Sequence, residues 1–184
     1  MRKASPNLKI TLVSTRNWEP NYNIETLLES VRILEEKSPG KFRIRMAGSG
    51  SQLQELTTRN ADLIANGIVF VEGRLSEREI IDLLSSSDIY LSASNSDGIS
   101  VSMLEAQAVG LPVVVSRIPS NLEWIEHGQT GLLFDQKNPL ELAETILEWV
   151  SSKKMNVISL SAREKVISCA NFSENIKRVV FSNV

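Results

Sequence analysis

"SNSDGISVSMLEAQAVGLPVVVS", residues Ser94 to Ser116, is the stretch whose reading sets the fold class. "SVSMLEAQAVG" reads as a helix closed by Gly110, a residue that suits helix ends because it tolerates left-handed backbone angles. "LPVVVS" follows at once as a short, continuous apolar run, the pattern of a strand covered on both faces. Upstream, "DIYLSAS" is a further strand. Two acids sit in this unit with seven residues between them: Asp97 beside Gly98 at the strand's end, and Glu105 inside the helix.

The alternation continues in both directions. "LKITLVST" (Leu8–Thr15) is strand-like, and Asn23–Lys37 places Ile24, Leu27, Leu28, Val31 and Leu34 at helical spacing. "KFRIRMAG" alternates with period two, "SQLQELTTRNADLI" reads as one helix and "IVFVEG" as a strand. "SEREIIDLLSSS" opens with a capping box, Ser76 with Glu79 three residues on. "GLLFD" is a short strand, and "NPLELAETILEWVSS" a helix with proline in its first turn. Residues 156–184 read as two helices broken near Asn171. Strand–helix alternation of this kind predicts a parallel sheet of about six strands with helices on both faces, an α/β, doubly wound, Rossmann-like domain. Such sheets bind ligands beyond the carboxyl ends of their strands, near the point where strand order reverses.

Length and composition agree. The 184 residues suit one domain, and 42% hydrophobic with 23% charged residues is ordinary for a globular protein. A net charge of −2 argues against a broad nucleic-acid surface. Cys169 is the sole cysteine and His127 the sole histidine, so the sequence offers no internal disulfide and no Cys/His metal-ligand cluster. This usage suits a reducing, cytoplasmic setting. No apolar run reaches transmembrane length, and "MRKASPNLKI" lacks the hydrophobic stretch of a signal peptide.

Candidate site residues therefore follow each strand. Arg16, after the first, is placed to grip a phosphate with its planar fork, or is a solvated loop arginine. Gly48 and Gly50, in "AGSGS" after the second, open a helix, either towards an anion or as a plain tight turn. A dinucleotide fingerprint is disfavoured, because its third glycine is replaced by Leu53. Gly73, Arg74 and Leu75, after the third strand, line a base pocket or form an ordinary turn. After the fourth, Gly98, Ile99, Ser100 and Val101 lead into a helix start, where free N–H groups and the helix dipole favour an anion such as a diphosphate. Glu105, one to two turns on, could accept hydrogen bonds from two vicinal hydroxyls, as on a ribose, and Asp97 could hold hydroxyls on whatever the diphosphate carries. The small and apolar neighbours Leu104, Ala106 and Ala108 predict a mostly buried helix, in which an acid needs partners. His127, between glycines in "IEHGQTG", reads as a loop residue.

Asp97, Gly98, Glu105, Ala106, Ala108, Gly110, Pro112, Val113 and Val114 together resemble the signature of the retaining group 1 glycosyltransferases of the GT-B fold. "NLEWIEHGQTGLLF" continues the likeness with Glu123, Gly128 and Gly131, and "STR", "MAGSGSQLQEL" and "VEGRLSEREIIDLLSSSDIYLSAS" fit upstream. The resemblance runs from about Lys9 to Val150, with "NFSENIKRVV" similar to the family's closing helix.

The resemblance implies a two-domain enzyme of which this chain, residues 1–184, is the C-terminal, donor-binding half. The acceptor-binding N-terminal domain would be supplied in cis or as a separate subunit. It implies that Arg16 contacts the donor phosphates and that Gly98, Ile99, Ser100 and Val101 offer backbone N–H groups to sugar and diphosphate. Glu105 would hold the ribose hydroxyls, Asp97 would bind sugar hydroxyls and stabilise the transition state, and Gly48, Arg74 and Leu75 would border the nucleotide. It implies a nucleotide-diphosphate sugar as substrate, with no cofactor and no bound metal. The acceptor would be a saccharide or lipid. The setting would be cytoplasmic, at the inner membrane face if peripheral contact runs through the other domain. Two departures stand out. Asp97 replaces the usual glutamate and is shorter by about 1.5 Å, and Tyr22-Asn23 stands where a lysine-glycine or lysine-asparagine pair is frequent. The competing readings are a noncatalytic nucleotide-sugar-binding domain and a nucleotide-sugar epimerase of the same fold.

Overall fold

A computed structural model describes residues 9–152 and 155–169 of the chain. Six strands form one parallel sheet: β1 (Ile10–Ser14), β2 (Phe42–Ala47), β3 (Val69–Gly73), β4 (Ile89–Ser92), β5 (Val113–Ser116) and β6 (Leu132–Phe134). Their order is β3-β2-β1-β4-β5-β6. The chain winds outward one way from β1 to β3, then returns to β4 and winds the other way, so β1 and β4 are neighbours at the reversal. Leu12 pairs with Ile89 and Val13 with Tyr90 at that seam.

Alternation along each strand builds two cores, as expected for a sheet covered on both faces. Leu12, Ile44, Ile89, Leu91 and Val114 point to one side, under α1 (Ile24–Lys37) and α7 (Pro139–Ser151), which pack on each other. Val13, Tyr90, Val113 and Val115 point to the other, under α4 (Glu77–Ser85) and α5 (Val101–Ala108). The last described helix, α8 (Met155–Cys169), packs on α5.

Local sequence explains most boundaries. Ser76 caps α4 by the full reciprocal box with Glu79. Asn138 accepts from the Glu141 N–H to cap α7, with Pro139 in the first turn. Two features depart from the sequence reading. The single helix expected over "SQLQELTTRNADLI" is two, α2 (Leu53–Arg59) and α3 (Ala61–Ala65), parted at Asn60. Its side-chain amide donates to the Leu56 carbonyl at 2.9 Å, a local bond that competes with helix continuation. A short helix, α6 (Pro119–Trp124), lies between β5 and β6, where no helix was expected. Its only local signal is proline in the first turn. The expected break near Asn171 and the closing helix lie outside the described residues.

Candidate functional site

The seam between β1 and β4 opens at the carboxyl end of the sheet, and Arg16 stands two residues beyond β1 at that point. Only 8% of it is exposed. Nη1 donates to Ser102 Oγ at 2.9 Å, and Nη2 donates to Ser94 Oγ at 3.0 Å and to Asp97 Oδ2. The guanidinium also lies over the Tyr22 ring, 4.5 Å from its centroid. A second layer supports these partners. Tyr90 Oη donates to Ser102 Oγ at 2.9 Å, and Ser92 Oγ lies 3.1 Å from Ser94 Oγ. Burial pushes the Tyr90 phenol pKa up, with Arg16 and Ser102 acting against it, so the phenol serves as a neutral donor.

A chain reversal explains why these groups meet. Arg16 follows the strand that leads into one half of the sheet, and Ser94 to Ser102 join the adjacent strand to the other half. Residues 78 or more apart in sequence thereby share one crevice. Ser100, at the N-cap of α5, makes no side-chain cap, so the first N–H groups of that helix are left for another acceptor. Ser14 Oγ, Arg16 Nε and Ser100 Oγ are buried without a hydrogen-bond partner. Buried polar atoms are normally paired, so the unpaired atoms on Arg16, which bonds Ser102 in the first turn of α5, and on Ser100, the N-cap, mark a place built for a polar ligand. Gly98, Ile99 and Val101 form the exposed lip, with Ile99 and Val101 each 62% exposed.

The second edge of the crevice follows β2 and β3. The Gly48 N–H donates to the Gly73 carbonyl at 2.7 Å, and Arg74 Nε to Ser49 Oγ at 2.7 Å, so these two loops are joined. Leu75 packs on the second core rather than standing free. Gly48 has φ +119°, and a Cβ there would lie 2.7 Å from the Arg16 carbonyl oxygen. Glycine at this position therefore admits the loop that carries Arg16.

Glu105 corrects one expectation. It is exposed, and its carboxylate accepts no hydrogen bond among the described residues, although its neighbours suggested a buried acid. Residues advance by about 100° around a helix. Met103, Ala106 and Gln107 therefore turn into the second core while Glu105 faces out. Partial desolvation, and then repulsion from Glu77, raise its pKa above the usual carboxylate value.

Other residues fall elsewhere. His127 is exposed, and its Nδ1 accepts from the Leu133 N–H at 3.1 Å, as befits a loop residue. Trp18 is fully buried in the first core. Sequence reasoning missed Ser94 and Tyr90, and it did not foresee Tyr22 stacked under Arg16. The sole hint was hydroxyls alternating out of an apolar strand, in "YLSAS".

Comparison with known proteins places the chain. Over 165 residues it is 34% identical to the amylovoran biosynthesis glycosyltransferase AmsK of Erwinia amylovora, covering 85% of this chain and 40% of AmsK. It thus spans about two fifths of the length of the relatives it matches. HepE of Anabaena, solved with UDP-glucose, superposes with a TM-score of 0.82 at 20% identity, over 95% of this chain and 49% of HepE. The C-terminal domain of LpcC, a group 1 family glycosyl transferase from Francisella tularensis, superposes at 0.77 and 16% identity, over 89% of this chain and 87% of that domain. At these identities the structural matches speak to the fold. Residues 2–170 match the model of the family described as glycosyl transferases group 1, and the chain belongs to that family.

Proposed function

We propose that this chain is the donor-binding half of a retaining glycosyltransferase, that it binds a nucleotide-diphosphate sugar, and that a second domain holds the acceptor. One observation carries the reading: an arginine locked at the reversal of strand order, with buried, unpartnered polar atoms on Arg16 and Ser100 beside the start of α5. Arg16 and the first N–H groups of α5 suit a diphosphate. Gly98 to Val101 border diphosphate and sugar, Glu105 takes the ribose hydroxyls, and Gly48, Arg74 and Leu75 flank the nucleotide. The exposure of Glu105 favours this role, since its carboxylate is uncommitted. Asp97 takes the sugar hydroxyls and stabilises charge in the transition state.

As the glycosidic bond breaks, negative charge grows on the leaving diphosphate. Donors already fixed by Ser94, Ser102 and Tyr90 stabilise that charge without reorganising. No resident metal is needed in this scheme. A polysaccharide or glycolipid product is favoured by AmsK, named for amylovoran biosynthesis. Work at the cytoplasmic side is the matching location, and among the described residues no helix is long and apolar enough to cross a membrane.

Calorimetry with uridine, guanosine and adenosine diphosphates, each with chelator present, tests the site. Binding of at least one is expected, and binding only after magnesium or manganese is added overturns the metal-free scheme. Mass spectrometry of the chain with nucleotide-sugars and acceptors tests the division of labour. Slow donor hydrolysis at most is expected, because positioning the acceptor is worth about 7–11 kcal/mol and belongs to the other domain. Multiple-turnover transfer by these 184 residues alone refutes the half-enzyme reading.

A further inference from the structure

The hydrogen-bond inventory of Arg16 constrains how any oxyanion can reach it. A guanidinium has five N–H groups, and two of its edges donate in parallel: Nε with Nη2, and Nη1 with Nη2. Both edges include Nη2. In this structure both hydrogens of Nη2 are committed, one to Ser94 Oγ and one to Asp97 Oδ2. Nη1 spends one hydrogen on Ser102 Oγ, and Nε is buried without a partner. The two N–H groups that remain, on Nε and on Nη1, do not share an edge. Arg16 therefore cannot grip an oxyanion bidentately while both Ser94 and Asp97 stay in place.

Of the two, Asp97 is the one able to leave. Ser94 is 1% exposed, lies two residues beyond β4 and is held against Ser92 Oγ. Asp97 sits in the loop before α5, beside Gly98, around which there is open space. Its charge also opposes an incoming diphosphate, whereas the Ser94 hydroxyl is neutral. We infer that Asp97 is a resident counter-ion of Arg16, which the diphosphate must displace, and that its release delivers the carboxylate to the sugar end of the crevice. This rests on the donor-site reading above and adds a coupling to it: phosphate capture and sugar contact become one exchange. A bare nucleotide breaks the Arg16–Asp97 pair without offering Asp97 a new partner, so the exchange discriminates in favour of donors that carry a sugar.

Titration calorimetry of the whole chain with inorganic pyrophosphate and with uridine diphosphate tests this, comparing wild type with Asp97→Asn. The variant should bind both probes about five- to tenfold more tightly, the scale of losing one partly exposed ion-pair competitor. Equal or weaker binding by Asp97→Asn, with wild type binding normally, overturns the exchange and leaves the donor site standing. Failure of either form to bind either probe overturns both. Wild-type NMR supplies a readout that does not depend on the variant folding. Pyrophosphate should shift the Arg16 side-chain nitrogen signals and the Asp97 carboxyl carbon together. A shift of Arg16 with Asp97 unmoved likewise overturns the exchange.

Discussion

Gly50→Ala is the substitution that best tests the architecture of the crevice. The loop after β1 is latched onto the loop after β2 by two backbone bonds, Trp18 N–H to the Ser49 carbonyl at 3.0 Å and Gln52 N–H to the Trp18 carbonyl at 2.9 Å. A Cβ on Gly50 would overlap the Trp18 carbonyl oxygen, lie 2.5 Å from its carbon, and lie 2.8 Å from Glu19 Oε1. Relief to ordinary contact distance requires the loops to part by about 1 Å, because non-bonded carbon atoms settle near 3.5–4.0 Å. These neighbours are mainly backbone, so no rotamer change absorbs the overlap. Overpacking of this kind costs about 1–3 kcal/mol, and weakening the bond to the Trp18 carbonyl adds about 1 kcal/mol. A net loss of about 2–4 kcal/mol lowers the melting temperature by about 4–16 °C for a domain of this size. Gly98→Ala is the control, since a Cβ there meets nothing within 4 Å and the backbone is not left-handed. It should stay within about 0.5 kcal/mol of wild type. Thermal and urea denaturation followed by circular dichroism measure both. Gly50→Ala as stable as Gly98→Ala refutes the claim that this glycine exists to admit the Arg16 loop. Displacement of that loop should also weaken nucleotide binding, since Arg16 lies two residues from Trp18.

Further outcomes follow from the same geometry. The pKa of Glu105 is raised in the folded state, so the stability linked to it is fully present below its ordinary value of 4.5 and is lost as pH rises through the raised one. Glu105→Gln should therefore melt higher than wild type at neutral pH and show no advantage below pH 4.5, as scanning calorimetry across pH will show. An advantage that grows on acidification refutes this. Glu105→Ala should weaken nucleoside diphosphate binding by about 1.5–3 kcal/mol by isothermal calorimetry; unchanged affinity removes Glu105 from the ribose role. Tyr22→Leu should weaken binding of the same ligand by about 0.5–2 kcal/mol through loss of the ring under Arg16, while Tyr22→Phe should not. Equal losses in both would point to the hydroxyl instead.

The doubly wound class was legible in the sequence because it depends on local pattern. "LPVVVS" is apolar on both faces, and helix spacing in Asn23–Lys37, the capping box at Ser76 and the proline Pro139 at a helix start act over a few residues. Those preferences are set by side-chain periodicity and by unpaired backbone groups, both of which a linear reading sees. The placement of Arg16 and of Asp97 beyond strand ends was legible for the same reason. What each side chain does there was not. Arg16 and Asp97 are 81 positions apart, and only the reversal of strand order between β1 and β4 puts them in contact. Ser94 and Tyr90 looked like ordinary strand residues until the sheet turned one towards Arg16 and the other towards Ser102. Glu105 looked buried because its sequence neighbours are small or apolar, yet burial is decided by which side of α5 meets the core. Local periodicity determined the elements and their order. The contacts of the crevice were decided by packing, because hydrogen bonds and ion pairs depend on distances in space that the chain sets only after the sheet has closed its seam.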